Sequence, residues 1–357
     1  MGLLEISSLE ELHIYLYHAL QLEHATIPPY LTALYSLKPG SNSQPLHVMR
    51  VVAVEEMLHL TLVANVLNAV GGSPDLTRDD FVPNYPSALP NGELDFEVGL
   101  QRFCRDQVQT FLNIERPPAA PTPGHRVQRR AANGKQPLLQ VTADPELHFY
   151  SIGEFYAEIA RGLKLLALEA RESGKTLFVG DKSRQITPEY YFSGGGEIVP
   201  VYDLESALRA IELIATQGEG LGGGIFDAEN ELAHYHAFEQ TILGRYYDPG
   251  DKAAEPSGVE IAIDWDAVYP IRPNAKLADY PKGSDIRAAA IAFNAAYKDF
   301  LTLLTTAFNG QPALLIDAVG SMFRLKELVG QLMRNPIPGS AGEHAAPTFE
   351  LALQADP

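Results

Sequence analysis

Glu56-Met-Leu-His59 and Glu231-Leu-Ala-His234 are two copies of one pattern, a carboxylate and an imidazole three residues apart. On a helix, residues i and i+3 share a face about one turn apart, so both side chains reach a single metal ion. Two Glu-x-x-His helices, joined by one Glu from each of two further helices, make the ligand set of dinuclear carboxylate sites inside helical bundles. One copy arises often by chance. Two copies in largely apolar, helix-compatible settings predict a metal centre, against the competing reading of surface or hydrogen-bonded pairs with no metal.

The surrounding sequence is helical by pattern. Residues 45–70 open with a proline in the first turn, stop at Gly71-Gly72 and are apolar on most sides, as a buried helix must be. Glu55, Glu56 and His59 inside such a helix are costly unless paired or liganded. Upstream, residues 8–37 read as one helix, with Ser8 and Glu11 in capping-box spacing and Pro28-Pro29 predicting a kink or a changed turn. Further helices are predicted over about 100–114, 147–173, 203–216, 228–243, 284–309 and 312–334, with extended chain over 175–202. The Pro-, Ala- and Arg-rich stretch 116–145 reads as a linker or surface loop, and the tail from Asn335 as an extended arm.

A helix bearing Glu followed by a helix bearing Glu-x-x-His occurs in the first 72 residues and again between 147 and 244. Paired, these helices predict a mainly α four-helix bundle with ligands turned inward at mid-bundle. Residues 1–250 are assigned to the bundle, with insertions at 73–146 and 174–226, and 251–357 to a C-terminal helical extension packed on it. Glu23 serves the first helical pair. In the second, Glu154 and Glu158 lie one turn apart on one face, and pattern does not choose between them. His24 and His236 are turned away from the neighbouring ligands, Tyr30, Tyr156 and Tyr235 are assigned to core packing ahead of radical or substrate-positioning roles, and Glu115 to capping or an ion pair ahead of a place near the pocket. The run Gln217-Gly-Glu-Gly220 followed by Gly222–Gly224 lacks the preceding strand and following Lys-Ser/Thr of a phosphate loop, and reads as a surface loop or a lid.

Composition narrows the function. Twenty-seven basic against 45 acidic residues give a formal net charge of −18, which argues against nucleic acid or an anionic membrane as partner. The single cysteine, Cys104, excludes an intramolecular disulfide and a cysteine-based zinc or iron–sulfur site. The first residues lack a basic stretch followed by an apolar run, and a cytoplasmic protein is expected. Glutamate with histidine suits iron, manganese or zinc.

Several stretches resemble a known family. Leu22-Glu-His-Ala-Thr-Ile-Pro-Pro-Tyr-Leu31, Glu55-Glu-Met-Leu-His59, Asn113-Ile-Glu-Arg-Pro117, Ser151-Ile-Gly-Glu-Phe-Tyr156, Gln217-Gly-Glu-Gly220, Glu231-Leu-Ala-His-Tyr235 and Pro347-Thr-Phe-Glu350 span nearly the whole chain. They are similar to the ferritin-like family related to the iminophenyl-pyruvate dimer synthase domain of violacein- and rebeccamycin-type pathway enzymes. The resemblance implies a ferritin-like core with a metal site at Glu23, Glu56, His59, Glu154, Glu231 and His234. By the general geometry of such bundles, Glu56 and Glu231 bridge and the other four are terminal.

The expectation is a non-haem, di-iron metalloenzyme carrying out oxidative chemistry on a small organic molecule in secondary metabolism, with manganese or zinc as alternative metals and a homodimer compatible with the reading. Oxidative dimerisation of an aromatic 2-imino acid is the second reading. Metal storage is the third, ranked last because the two insertions hinder packing into a shell.

Overall fold

The structure, a computed structural model, describes residues 5–90, 96–117, 151–191, 194–220, 224–227 and 229–351. Among them the chain is mainly helical, and strand pairing is confined to isolated bridges. The helices are α1 (Leu9–Ser36), α2 (Ser43–Ala69), α3 (Arg105–Ile114), α4 (Ile152–Glu172), α5 (Leu204–Glu219), α6 (His234–Leu243), α7 (Asp285–Phe308) and α8 (Leu314–Met333). Residues 118–145 of the expected linker, 147–150 of the expected fourth helix, and Gly222 and Gly223 lie outside the described residues.

The long helices start where their caps dictate. The Ser8 hydroxyl accepts from the Glu11 amide, Ser151 from the Glu154 amide, and Asp203 forms a reciprocal capping box with Ser206. Both Pro28 and Pro29 remain inside α1. Pro29 has no N–H for the carbonyl of Ala25 four residues earlier. The buried hydroxyl of Tyr85 donates to that carbonyl instead, at 2.8 Å, so the orphaned acceptor is satisfied from outside the helix.

Helices α1, α2, α5 and α4 pack in a ring, each against the next. The central turns of α1 and α2 are buried on all sides, Leu20–Tyr30 and Leu58–Ala69 without a break. Helix α4 turns Phe155, Ile159, Gly162, Leu163 and Leu166 inward, the stripe its sequence predicts. Helices α3 and α6 pair with each other beside α1, α2 and α5, and the α7–α8 hairpin covers another face of α1 and α2. One continuous apolar core joins the bundle, the hairpin and the arm carrying Ala345, Ala346 and Phe349. Helix α2 is long and apolar enough to cross a bilayer, but 83% of its apolar window is buried inside this protein.

Two elements differ from expectation. The fourth member of the ring is α5, which lies inside the stretch 174–226 read as an insertion; α6 has only 10 residues and stands beside the ring. The chain before α6 is not helical because Asp227 captures it: its Oδ1 accepts from the amides of Glu229 and Glu231, both at 2.9 Å, and Asn230 takes a positive φ. Such local side-chain bonds compete with a helix. Among the described residues of 175–202 there is no strand. Buried Asn65 on α2 satisfies this segment instead, exchanging bonds with the backbone of Ile186 and donating to the carbonyl of Val199.

Candidate metal centre

The middle of α1 supplies Glu23 and Tyr30, and α2 supplies Glu55, Glu56 and His59. Glu115 caps the end of α3, His234 opens α6, Gln217 lies in the last turn of α5 and Tyr156 in the first turns of α4. These side chains converge on one buried locus. Ligand atoms of Glu23, Glu56 and His59 lie within 4.8 Å of one another, and so do those of Glu56, Glu115 and His234. Glu56 belongs to both groups. Its Oε1 is 3.1 Å from His234 Nδ1 and its Oε2 is 3.8 Å from His59 Nδ1. Glu23 Oε2 stands 3.2 Å from His59 Nδ1, and Glu115 Oε2 stands 3.3 Å from His234 Nδ1. The two imidazoles stack with ring centroids 5.5 Å apart.

The outer contacts fix which ring nitrogen faces inward. Gln217 Nε2 donates to the carbonyl of Gly195 at 2.9 Å, which leaves its Oε1 to accept from His59 Nε2 at 2.9 Å. His234 Nε2 donates to the carboxylate of Glu55 at 2.8 Å. Each imidazole therefore spends its Nε2 proton outward and points Nδ1 at carboxylate oxygens, the arrangement of histidines that ligate a metal. Nδ1 lone pairs facing carboxylates repel unless a proton or a metal cation lies between them. Gly195 makes this geometry possible. With φ 76° it lies against α2 so closely that a Cβ would stand 2.8 Å from Glu55 Cγ.

The electrostatics register the same demand for positive charge. Burial lowers the affinity of His59 for a proton, but Glu23 and Glu56 outweigh it and push the imidazole up to about 10. His234 is also raised well above its ordinary value, Glu115, Glu55 and Glu56 outweighing burial. Burial raises Glu23 to about 7 and lifts Glu115, whereas at Glu56 the burial penalty is overcome by bonds from His234 and His59 and the carboxyl sits below its ordinary range. Tyr156 donates to Glu23 and Tyr30 to Glu115. Both phenols are raised well above their ordinary value, first by burial and then by the adjacent carboxylates, so they remain protonated donors.

The donor set fits a pair of divalent cations. Metal–ligand bonds to nitrogen and oxygen run about 2.0–2.2 Å, so two atoms on one ion stand up to about 4.4 Å apart. Ligand atoms that all lie within 4.8 Å of one another need only small side-chain movement to reach that spacing. The ligands surround a space of about 20 Å³ bounded by Leu22, Ile152, Ile214 and Gly218, room for an ion-sized occupant.

Of the residues singled out in the sequence, Glu23, Glu56, His59 and His234 meet here, and Glu154 and Glu231 are in neither group of three. Glu154 lies in the first turn of α4, half-buried. Its rival Glu158 accepts from the Ile6 amide and from Arg161. What α4 brings to the centre is Tyr156. Glu231 is exposed, in the Asp227 turn ahead of α6. The remaining carboxylate beside the second histidine is that of Glu115, at a position where sequence predicts a cap or an ion pair, and Gln217 comes from a run whose sequence predicts a loop. Their signal was their place inside Asn113–Pro117 and Gln217–Gly220, two of the stretches that carry the family resemblance. His24 and His236 stand outside the cluster, bonded to Tyr297 and Glu239.

The ferritin-like family profile matches residues 16–243. The chain is 29% identical over 321 residues to dichlorochromopyrrolate synthase of Lentzea aerocolonigenes, covering 84% of this chain and 29% of that protein. It is 26% identical over 324 residues to 2-imino-3-(indol-3-yl)propanoate dimerase of Chromobacterium violaceum, covering 85% of this chain and 28% of that protein. The chain thus spans under a third of the length of these relatives. A crystal structure of a ferritin-like protein from Caulobacter vibrioides superposes with a TM-score of 0.62 at 23% identity, over 96% of this chain and 99% of that one, and shares the fold.

Proposed function

The chain belongs to the ferritin-like family, and from that premise we propose that it is a non-haem, di-iron metalloenzyme performing oxidative chemistry on a small organic molecule. The observation that carries the reading is the position of Glu56, shared between two carboxylate–imidazole groups whose histidines both turn Nδ1 inward. Glu23 and His59 would hold one ion, Glu115 and His234 the other, and Glu56 both. A bound iron pair supplies two electrons and open positions for dioxygen chemistry.

The chain's own residues define the rest. Gln217 and Glu55 hold the imidazole planes, and Tyr156 and Tyr30 keep a proton on hydrogen-bonding terms with the outer oxygens of Glu23 and Glu115. Leu22, Ile152 and Ile214 give the same space apolar walls, and Gly218 leaves a side without a side chain. Protein purified without chelator is expected to hold iron, manganese or zinc at about one to two equivalents, the capacity of such a ligand set. Elemental analysis that finds no transition metal, even after anaerobic iron addition, overturns the reading.

The name of one relative, 2-imino-3-(indol-3-yl)propanoate dimerase, favours a more specific reaction, the oxidative dimerisation of an aromatic 2-imino acid. Metal-loaded protein supplied with such an imine, generated from the amino acid, should yield a coupled product under air. Light scattering tests the storage alternative: a monomer or dimer fits the enzyme, a multi-subunit cage fits storage.

A further inference from the structure

A second cavity, of about 190 Å³, lies between α1–α2 and the α7–α8 hairpin. It uses a different face of the two ligand-bearing helices: His24, Ile27, Pro28 and Leu31 of α1 line it, whereas Glu23, Thr26 and Tyr30 face the ligand cluster. Its described walls are mostly aliphatic and aromatic, with Thr61 and the tyrosines Tyr35, Tyr191 and Tyr297 among them, and include no Asp, Glu, Lys or Arg. Among them the buried ring of His24 carries a polar atom without a hydrogen-bond partner. Its Nε2 is bonded to the Tyr297 hydroxyl, while Nδ1 has no partner. An unmatched buried polar atom costs about 1–3 kcal/mol, which a ligand bearing one suitable group would recover.

From the geometry we infer that this cavity binds a neutral aromatic molecule of one or two rings whose single polar group pairs with His24. Size sets the ring count. An apolar cavity of about 150 Å³ accepts benzene, so this one accommodates a substituted benzene or an indole-sized bicycle. Charge sets the neutrality, because a carboxylate here would be buried without a cation. That requirement separates the site from an anionic imino-acid substrate at the metal centre, and the inference stands apart from the proposed reaction. Val319, which lines the cavity and is 42% exposed, marks where it meets solvent, close to the exposed Phe323 of the same helix.

Titration calorimetry of the full chain with indole, phenol, benzene and indole-3-carboxylate tests this. Indole and phenol should bind, and indole-3-carboxylate at least about tenfold more weakly, the cost of leaving its charge unpaired. Val319→Trp, at the partly exposed mouth, should block indole and phenol, and Leu325→Trp should do the same from deeper along α8. His24→Phe should weaken phenol about tenfold, one hydrogen bond's worth, and leave benzene unchanged. Absence of indole and phenol binding up to their solubility overturns the proposal. So does binding unaffected by both tryptophan variants, or equal binding of the carboxylate. A dimer that Phe323→Asp splits into monomers still unable to bind indole would make this face an interface between copies instead, and overturn it too.

Discussion

Gln217 Oε1 accepts from His59 Nε2 at 2.9 Å, and the amide cannot turn over because its nitrogen donates to the Gly195 carbonyl. One buried glutamine thus fixes the tautomer of a histidine on another helix, 158 residues away. Removing an outer-shell partner of this type costs about 10–100-fold in metal affinity. Gln217→Leu should therefore weaken metal binding by about that factor at near-wild-type helicity, measured by competition with a chromophoric chelator. Unchanged affinity would mean that Gln217 does not orient the ligand.

Separate Glu→Gln changes distinguish the ligand set implied by resemblance from the one the side chains form. Glu115→Gln should reduce metal content sharply, while Glu154→Gln and Glu231→Gln should retain it. Elemental analysis of the three proteins, purified in parallel, decides. Loss of metal in the Glu154 or Glu231 variant, with retention in the Glu115 variant, would restore the sequence-based set.

Metal affinity should rise with pH. His59, pushed up to about 10, and His234, raised in the same direction, hold protons at neutral pH in metal-free protein and must release them to ligate. Binding should liberate protons, measurable in weakly buffered solution, and the apparent Kd should fall between pH 6 and 8, on the order of a proton's worth per histidine displaced.

Chelation should leave a protein whose stability depends on pH in a known direction. The His59 pKa is higher folded than unfolded, so its contribution is complete below about 6.5, the unfolded value, and is lost as pH rises toward about 10. Urea midpoints of metal-free protein should decline across pH 7–10, and metal-loaded protein should decline less. Parallel curves would count against ionised imidazoles standing in for metal.

Tyr85→Phe removes the donor that replaces the missing Pro29 N–H at the Ala25 carbonyl. The buried acceptor left behind should cost about 1–3 kcal/mol, read as a lower urea midpoint at unchanged slope. The double variant with Pro29→Ala should recover part of that loss, because Ala restores the helical N–H. Equal loss in both proteins would assign the effect to packing.

The sequence by itself determined the helical character, the burial of α2, and Glu23, Glu56, His59 and His234 as groups needing partners. Local periodicity carries these, since a carboxylate in a continuously apolar helix announces its own desolvation. Tertiary structure decided what has no local pattern. Glu115 reaches His234 across 119 residues from the end of α3, where no periodicity or spacing in the sequence pairs the two. Glu231 has the right spacing but sits in a turn that the Asp227 carboxylate holds out of the helix, so the i,i+3 geometry never forms. Helix α5 joined the ring, although its 16 residues lie in a stretch read as an insertion, because it packs between α2 and α4 and delivers Gln217 to His59. Spacing along the chain places side chains on one face of one helix; which faces meet depends on how all the apolar surfaces are buried together.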